Sequence, residues 1–494
     1  MGQSGECVCE SPFSYELIGY SDYEPSEIIS WALNGAGEPP PGGDFVAVKR
    51  EGGSGVPHTL VTSRVSALPV YWAIGKSGIP HVGTNVFEVA RLADLAWDWN
   101  ERAIRCLALF GHTIGEDTLH PKVKRLPPDS LFEFKNGIAT AAPLGFWRAS
   151  PAHYTLEEAM DAANRAFRCL VEQEKVLLSL SAGYDSRVLL AMCLARGISP
   201  RCVTMGGSQA TDVQVAQSLA RMCDLKHERI ELRPDDYVTQ GPEISRLTSG
   251  TKTAQNWHTY LYSKAASDPR DNEIHLVGSN GEFARSFYLS RLGVQGVRVA
   301  SRTPTAGAVA YWQATLMRRL RKFKNVSLVN TGGLWATSRI ARSTTHKHAR
   351  DAATDLDTFY ATQRVRHFIG NGLALYSANG RPRSPFLDNK VIEGIRGLPR
   401  EYKVGDRFHI ECIQSLSPNL LTVPFNQPMQ EPGGTYNVFS QVREHKDASA
   451  VIVDTEELDC LLTRTERRKV VNAGSLSEFD LLLTLAFAAG NARP

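Results

Sequence analysis

The second half of the chain alternates short apolar segments with helical patterns. Residues 176–180 form an apolar run that predicts a buried strand, and 202–205, 227–232 and 273–277 predict further strands. Between them, residues 187–196 predict a helix that ends at Gly197. Residues 212–223 predict a second helix, with Val215, Leu219 and Met222 on one face. Strands that alternate with helices predict a parallel, doubly wound α/β sheet.

The regions on either side of this pattern differ from it. Up to about residue 145, short strand patterns at 44–48, 60–62, 70–72 and 130–134 alternate with glycine- and proline-rich turns. Residues 148–153 predict a linker, after which Thr155 and Glu158 form a capping box that begins a helix. From about residue 300 the pattern is mostly helical, and a last helix is predicted between Ser475 and Gly490. The pattern therefore distinguishes a β-rich region up to about residue 145, an α/β region that begins near Thr155 and a mostly helical region after about residue 300.

A loop of small residues follows the first strand of the predicted parallel sheet. It reads Ser181-Ala182-Gly183-Tyr184-Asp185-Ser186. Small residues leave backbone N–H groups free to point at a phosphate, and Asp185 could hold a magnesium ion against it. The common phosphate loop, Gly-x-x-x-x-Gly-Lys-Ser/Thr, is a different motif. A chance turn after a buried strand is the alternative interpretation of this segment alone.

A second loop of the same kind follows the strand at 273–277. Gly278 and Gly281 lie in this loop, and Glu282 and Arg285 follow them. Ligands of doubly wound sheets bind beyond the carboxyl ends of the strands, where both loops would lie. One acid on a loop is usually only solvated. Two acids at one edge of one sheet predict a site for magnesium and a triphosphate.

Composition narrows the range of partners. The 494-residue chain has a net charge of +3, which is too small to indicate nucleic acid or a membrane as the main partner. Its nine cysteines are scattered without the spacing of a zinc site, and an odd number argues against a disulfide framework. The first residues do not resemble a signal peptide, and the longest apolar stretch, 481–489, is too short to span a bilayer. We therefore expect a cytoplasmic protein.

A third segment carries a resemblance to a known family. Arg383-Ser384-Pro385-Phe386-Leu387-Asp388 resembles the Arg-x-Pro-Phe-Leu-Asp signature of the asparagine synthetase and β-lactam synthetase superfamily. The loop 181–186 is similar to that family's ATP-pyrophosphatase loop, and 278–282 to its second magnesium-binding segment. Residues 43–45, 62–71 and 115–128 resemble its glutaminase-like domain. The resemblance implies a four-layer αββα glutaminase-like domain over 1–147, an α/β ATP-pyrophosphatase domain over 154–430 and a helical tail over 431–494 packed on it.

The resemblance also implies a set of site residues, with ATP and Mg²⁺ as cofactors. Asp185 and Glu282 would bind the metal and be catalytic; Arg187 and Arg285 are added as catalytic candidates because each closely follows a phosphate-site motif and the reaction needs positive charge there. The nucleotide would be bound by residues of four segments: Ser179, Ser181, Ala182, Gly183, Tyr184, Asp185, Ser186, Thr204, Met205, Val277 and Gly278. Asn256-Trp257-His258 is a candidate lining of the acceptor pocket, although His258 is more typical of a packed histidine than of a general base.

The chain departs from the family at positions that matter for the chemistry. Position 2 holds Gly2, where an active glutaminase of this family needs a cysteine nucleophile, so we expect the first domain to be inactive. Asn426 stands near the place of a lysine that the family uses against the departing pyrophosphate. Arg187 or Arg285 could substitute for that lysine as a phosphate clamp. Alternatively, Arg187 faces outward from its helix and Arg285 pairs with a structural acid.

These features together predict an ATP-dependent amide-forming synthetase. It would adenylate a small-molecule or peptide carboxylate, release pyrophosphate and join the acyl group to ammonia or to an amine within the substrate. The lost glutaminase nucleophile suggests natural-product formation, such as antibiotic biosynthesis by a β-lactam synthetase-like or peptide cyclase-like enzyme. The alternatives are a catalytically degenerate nucleotide-binding scaffold and an asparagine synthetase that uses ammonia, or glutamine if the first domain is active. The sequence does not decide whether the protein forms a homodimer.

Overall fold

A computed structural model describes eight segments of the chain: residues 13–34, 41–52, 54–149, 151–268, 272–290, 293–330, 351–424 and 435–493. Gly2 and Asn426, on which two of the predictions above rest, lie outside these residues.

The first region contains two antiparallel sheets. Five strands form the larger sheet in the order β1-β2-β3-β7-β8, and three form the smaller one in the order β5-β4-β6. The strands are β1 (Phe13–Tyr20), β2 (Asp44–Glu51), β3 (Pro57–Thr62), β4 (Tyr71–Ile74), β5 (Pro80–Gly83), β6 (Lys124–Arg125), β7 (Ser130–Lys135) and β8 (Ile138–Pro143). The helices are α1 (Pro25–Asn34), α2 (Val86–Leu92) and α3 (Glu101–Phe110).

The alternation of side chains in these strands gives each sheet two apolar faces. Val46 and Phe132 of the larger sheet share one apolar cluster with Trp72 of the smaller sheet, and the rings of Trp72 and Phe132 lie 5.1 Å apart. Helix α1 covers the other face of the larger sheet, and α2 packs on the smaller sheet. The four layers are therefore helix, sheet, sheet and helix, which confirms the predicted αββα sandwich.

The second region is built on a parallel sheet. Its strands are β9 (Val176–Ser179), β10 (Arg201–Met205), β11 (His227–Ile230), β12 (Ile274–Leu276) and β13 (Arg381–Arg383), in the order β11-β10-β9-β12-β13. Every neighbouring pair is parallel, as predicted. Its helices up to residue 320 are α4 (Leu156–Val171), α5 (Tyr184–Leu194), α6 (Thr211–Met222), α7 (Pro234–Thr239), α8 (Gly241–Leu247), α9 (His258–Ala266), α10 (Gly293–Ala300) and α11 (Ala306–Leu320).

Two details of this sheet position the site. The strand order reverses between β9 and β12, so the loops after these two strands meet at the topological switch point. Helix α5 begins at Tyr184, three residues earlier than predicted, because Gly183 adopts the extended conformation of an N-cap. Asp185 and Ser186 consequently lie in the first turn of α5 rather than in the loop before it. The capping box of Thr155 and Glu158 at the start of α4 is present as predicted.

Helices dominate the rest of the chain. They are α12 (Ala352–Phe359), a π-helical stretch (Tyr360–Ile369), α13 (Gly370–Ser377), α14 (Asn389–Gly397), α15 (Arg407–Leu416), α16 (Thr435–Glu444), α17 (Lys446–Asp454), α18 (Arg464–Ala473) and α19 (Leu476–Asn491). Short 3₁₀ turns occupy Ala254–Asn256, Gly281–Arg285, Pro385–Leu387, Arg400–Lys403, Pro418–Thr422 and Glu456–Leu458. Helix α19 begins with the predicted box of Ser475 and Glu478 and is buried along most of its length. Among the described helices, none has the length and apolar character needed to cross a membrane.

The signature segment 383–388 joins the two regions. Asp388 accepts a hydrogen bond from the Gly43 amide at 2.7 Å and caps helix α14 through the Lys390 amide at 2.8 Å. The Tyr20 hydroxyl donates to the Ser384 carbonyl at 3.0 Å. On the other side of the segment, the Ser384 hydroxyl donates to the Ser279 carbonyl at 2.6 Å. The same six residues therefore support the second loop and hold the first domain against it.

Candidate active site

The loop after β9 is closed by hydrogen bonds of its own. The Ser181 amide donates to the Ser186 hydroxyl at 3.1 Å, and the Gly183 amide donates to the Ser181 hydroxyl at 3.2 Å. The Ala182 amide donates to a carboxylate oxygen of Asp212, at the start of α6, at 2.9 Å. These three amides therefore already have partners, whereas the sequence predicted that they are free to meet a phosphate. A phosphate would have to replace these side-chain oxygens or bind beside them.

The start of helix α5 is open to an anion. Gly183 occupies the N-cap with φ −72° and ψ 161°, and no side chain caps the helix. The first-turn amides of a helix carry a partial positive charge and have no partner within the helix. An uncapped helix of 11 residues at the carboxyl edge of a parallel sheet is a suitable place for a phosphate group.

The second loop packs directly against Asp185, and glycine is required for this approach. A Cβ on Gly281 would lie 2.3 Å from the Oδ1 atom of Asp185, and one on Gly278 would lie 2.8 Å from its Cβ. Between them, Asn280 takes a left-handed conformation with φ 73°, and its side-chain amide donates to the Phe386 carbonyl at 2.6 Å. The loop is thus fixed from both sides, and it brings Glu282 next to Asp185.

Two side chains, Arg285 and His409, hold the carboxylate of Asp185. The Arg285 guanidinium donates to Oδ2 at 3.0 Å, and Nε2 of the buried His409 lies 2.8 Å from Oδ1. Burial would raise the pKa of Asp185, but His409 and Arg285 outweigh it and lower the pKa below its usual value. The carboxylate of Asp185 is therefore ionised and held in a fixed orientation.

The pKa of Glu282 is shifted in the opposite direction to that of Asp185. Burial and the neighbouring charge of Asp185 raise the pKa of Glu282. The Tyr360 hydroxyl, in the π-helical stretch, donates to Oε2 of Glu282 at 3.0 Å. Two carboxylates close enough to repel each other form a site that a divalent cation would stabilise.

The donor atoms at this site suit Mg²⁺. Asp185 and Glu282 offer carboxylate oxygens, and the hydroxyls of Ser181 and Ser186 lie 3.1 Å apart in the adjacent loop. Within the part of the chain that the structure describes, no group of three or more His, Cys, Asp or Glu side chains could form a metal site by itself. Mg²⁺ usually retains several waters and takes one or two carboxylates together with substrate phosphates, so a full protein cage is not needed. The residues therefore fit a magnesium–nucleotide complex.

Arg285 and Arg187, the two predicted phosphate clamps, lie in different surroundings. Arg285 donates to Asp185 and also to Asp406, each at 3.0 Å. Burial would lower the pKa of Arg285, but Asp185 and Glu282 raise it. Arg285 therefore lies at the carboxylate pair, and its role as a phosphate clamp stays a prediction.

Arg187 is buried and turned toward the chain that follows α15. Its guanidinium donates to the carbonyls of Leu420, Val423 and Pro424 at 2.8, 2.7 and 3.3 Å, and to that of Ala182 at 3.4 Å. Burial lowers the pKa of Arg187 to about 10. It neither faces outward nor meets the carboxylate pair. It ties the loop after β9 to residues 420–424.

Several predicted nucleotide-binding residues are engaged in the sheet itself. The Ser179 hydroxyl contacts Nε2 of His275 at 2.7 Å and accepts a hydrogen bond from the Tyr262 hydroxyl at 3.1 Å. The buried Thr204 hydroxyl donates to the Leu180 carbonyl at 2.7 Å, and the Val277 amide donates to the Arg383 carbonyl at 3.0 Å. Met205 is half-buried at the end of β10. A role for these residues in nucleotide binding stays a prediction.

Sequence reasoning missed three side chains of the site. His409 and Asp406 lie at the start of α15, and Tyr360 lies in the π-helical stretch. No local motif marks these residues, because they are distant from both loops in the sequence and contact the site only by tertiary packing. Lys403, near the signature, pairs with Asp357 at 3.1 Å and lies over the Phe283 ring, so it supports the second loop from behind. His258 is packed as expected, and burial lowers its pKa to about 4.

Comparison with known proteins places these residues in one family. The family model described as asparagine synthase matches residues 156–409, which include both loops, Arg285 and His409. A search of curated proteins found no match to the chain.

Proposed function

Because the chain belongs to the asparagine synthase family, we propose that it is an ATP-dependent ligase that adenylates a substrate carboxylate and converts it into an amide. Members of this family are ATP-dependent ligases that form AMP and pyrophosphate. The site described above supports the same overall reaction for this chain.

One observation carries the proposal. Two buried carboxylates, Asp185 and Glu282, meet at the switch point of a parallel sheet beside the uncapped start of α5. A purely structural loop would gain nothing from two repelling acids at a helix start, whereas a magnesium–triphosphate needs both negative ligands and amide donors. The bound metal would neutralise charge on the phosphates, with Asp185 and Glu282 as its protein ligands.

The remaining residues would bind and orient the nucleotide. The triphosphate would lie against the α5 amides, with the hydroxyls of Ser181 and Ser186 beside it. Gly278 and Gly281 let the second loop pack against Asp185, since any side chain there would collide with Asp185, and so keep Glu282 beside it. Arg285 would offset the negative charge that builds up on the departing pyrophosphate, in place of the family's lysine.

The chemical steps follow from this arrangement. A carboxylate oxygen of the substrate attacks the α-phosphorus, the bond between the α-phosphorus and the bridging oxygen breaks, and pyrophosphate leaves with the electron pair. An amine then attacks the acyl carbon of the adenylate and loses a proton, and AMP leaves as the amide forms. We propose that the amine is ammonia or belongs to the substrate. The product would then be a primary amide, a lactam or a cyclised peptide.

Exchange of labelled pyrophosphate into ATP tests the adenylation step. We expect exchange with at least one acid in a panel of small carboxylates and acidic peptides. Asp185→Asn should reduce that exchange by about 100-fold or more, because it removes a charge that acts on the reacting phosphates. Asp161→Asn makes the same chemical change at an exposed position of α4 and should leave exchange unchanged.

Two outcomes would contradict the proposal. If Asp185→Asn still exchanges pyrophosphate at the wild-type rate, the carboxylate pair takes no part in the reaction. Tight ATP binding by the wild-type protein without exchange across the whole panel would favour a nucleotide-binding scaffold instead.

A further inference from the structure

We propose that helices α10 and α11 present a docking surface for a partner protein whose contact face is acidic. Six exposed cationic side chains, which lie before and at the end of α11, form what is termed the basic surface: Arg298, Arg302, Arg318, Arg321, Lys322 and Lys324. The inference is independent of the proposed function.

The charge of this part of the chain is entirely of one sign. Residues 283–350 contain 13 of the chain's 55 Lys and Arg residues and none of its 52 Asp and Glu residues. Neither α10 nor α11 has an acid in its first turn, where an acid would interact favourably with the helix dipole. Cations in the last turns of both helices suit that dipole, but the dipole does not account for the missing acids.

The protein does not neutralise these cations. Between described residues, no ion pair includes any of the six. Elsewhere, an exposed arginine such as Arg102 pairs with Asp117 at 2.6 Å. Arg318 and Arg321 are three residues apart and therefore neighbours on the helix surface, a spacing at which like charges are unfavourable. The carboxylates of a bound partner would remove this repulsion.

Apolar side chains lie among the cations. Val294, Val299 and Met317 are 49, 64 and 43% exposed, and Val299 is the most exposed large apolar side chain of the described residues. On α11 the exposed positions 310, 314, 317 and 321 recur every three or four residues, so one outward face runs along the helix to Arg321. A protein surface offers carboxylates and apolar side chains together, and so suits both features.

The composition of the surface favours a protein over a membrane or a nucleic acid. Arg and Met are enriched at protein interfaces and Lys is depleted there, and four of the six cations are Arg. Membrane anchoring and base stacking both use exposed aromatic side chains. Here Trp312 and Phe323 are buried, and the Tyr311 ring packs against that of Trp312 at 5.3 Å.

Binding of a defined acidic helix tests the proposal. The probe is a fluorescent helical peptide of about 20 residues, long enough to lie along α11, with Glu and Leu on one face. Its matched control peptide has Gln in place of every Glu. We expect the wild-type protein to bind the Glu peptide at least about 10-fold more tightly at low salt, with a smaller difference at high salt.

Two quadruple variants locate the binding. The first reverses four charges of the basic surface and should abolish the preference for the Glu peptide: Arg298→Glu, Arg302→Glu, Arg318→Glu and Arg321→Glu. Gln at the same four positions should lose most of the preference without adding negative charge. The control makes the same change in net charge at exposed positions on α4, on α6 and after α6, and should keep the preference: Arg165→Glu, Arg168→Glu, Arg221→Glu and Lys226→Glu.

Three outcomes would overturn the proposal. If both charge-reversed variants lose the preference equally, net charge and not this surface determines binding. If a DNA duplex, or vesicles of phosphatidylglycerol and phosphatidylcholine, bind more tightly than the Glu peptide and are lost on reversal of the four arginines, the partner belongs to another class of molecule. If sedimentation shows a wild-type dimer that the same reversal converts into a monomer, the surface contacts a second copy of the chain.

Discussion

Arg187 and Arg285 follow similar loops but depend on different neighbours. Arg285 pairs with two carboxylates, those of Asp185 and Asp406, so its charge lies beside Asp185. Arg187 instead directs its guanidinium at backbone carbonyls of its own loop and of the chain after α15. A buried charge held by carbonyl dipoles contributes to stability through the segment it holds. Arg187 therefore acts on the site by fixing the chain from 420 to 424.

Replacing Arg187 tests this structural role. Arg187→Met leaves up to four carbonyls without their donor, and we expect the free energy of unfolding to fall by about 2–4 kcal/mol. Urea denaturation measures the loss. Arg196→Met, at the exposed end of the same helical region, should cost less than about 1 kcal/mol. If Arg187→Met keeps the wild-type free energy of unfolding but loses pyrophosphate exchange, then Arg187 acts on the phosphates and not through stability.

Asp480 makes stability depend on pH. Burial raises the pKa of Asp480 to about 7, well above its ordinary value, although its carboxylate accepts a hydrogen bond from the Gln255 amide at 2.7 Å. The folded protein then binds a proton that the unfolded chain loses. The stability from this group is therefore complete below about pH 4 and is lost as the pH rises to about 7, by about 4 kcal/mol at most.

The corresponding variant is Asp480→Asn, which keeps an oxygen for the Gln255 amide and cannot ionise. We expect its free energy of unfolding to fall less than that of the wild type between pH 5 and pH 8, as measured by urea denaturation at both values. Asp161→Asn serves as the exposed control. Equal pH dependence in all three proteins would mean that Asp480 titrates in the folded state much as it does in the unfolded chain.

At the level of elements, the site depends on how closely two loops pack. The turn after β12 approaches helix α5 until glycine atoms touch the carboxylate of Asp185. The turn is held by the Ser384 and Asn280 hydrogen bonds to and from the signature segment. Because the backbone of this turn lies against the Asp185 side chain, the carboxylate has little room to change its orientation.

Gly281→Ala would break this packing. The added methyl would overlap the Oδ1 atom of Asp185, so either the carboxylate or the loop must move. A displacement of about 1 Å at reacting groups can cost about 100-fold in rate, and we expect a loss of that order in pyrophosphate exchange. Gly490→Ala is the control, because a Cβ there would meet open space in helix α19. If Gly281→Ala exchanges pyrophosphate at the wild-type rate, the reaction does not depend on the exact position of the Asp185 carboxylate.

The sequence could predict those parts of the site that local patterns encode. Strands, loops and acids at the carboxyl edge of the sheet follow from apolar runs and small residues, so Asp185 and Glu282 were found together. Tyr360, Asp406 and His409 reach the carboxylate pair or Arg285 only through tertiary contacts across long stretches of chain. The direction of Arg187 was likewise decided by carbonyls of residues 420–424, which no pattern near Arg187 reveals.

On the scale of the whole molecule, the first domain and the helical tail share one apolar core. Ile104 and Phe110 of α3 belong to the same cluster as Trp312, Phe359 and Leu485. The Phe110 and Trp312 rings lie 5.2 Å apart. A boundary at residue 147, predicted from a change of pattern, therefore crosses a continuous core. Helix α3 of the β-rich region thus packs into the same core as the helices that follow the parallel sheet.

Calorimetry should consequently record a single unfolding transition for the full chain, because the shared core couples both regions. Arg64→Met removes a buried guanidinium that pairs with Glu393 across the domain interface at 3.0 Å and stacks on Phe146. We expect this variant to lose about 1–3 kcal/mol of stability and still to unfold in one step. Arg50→Met, which breaks a partly exposed pair with Glu16 inside the first sheet, should lose less than about 1 kcal/mol. Two separate transitions in the wild type, or in Arg64→Met alone, would show that the first domain is held by its interface contacts and not by the common core.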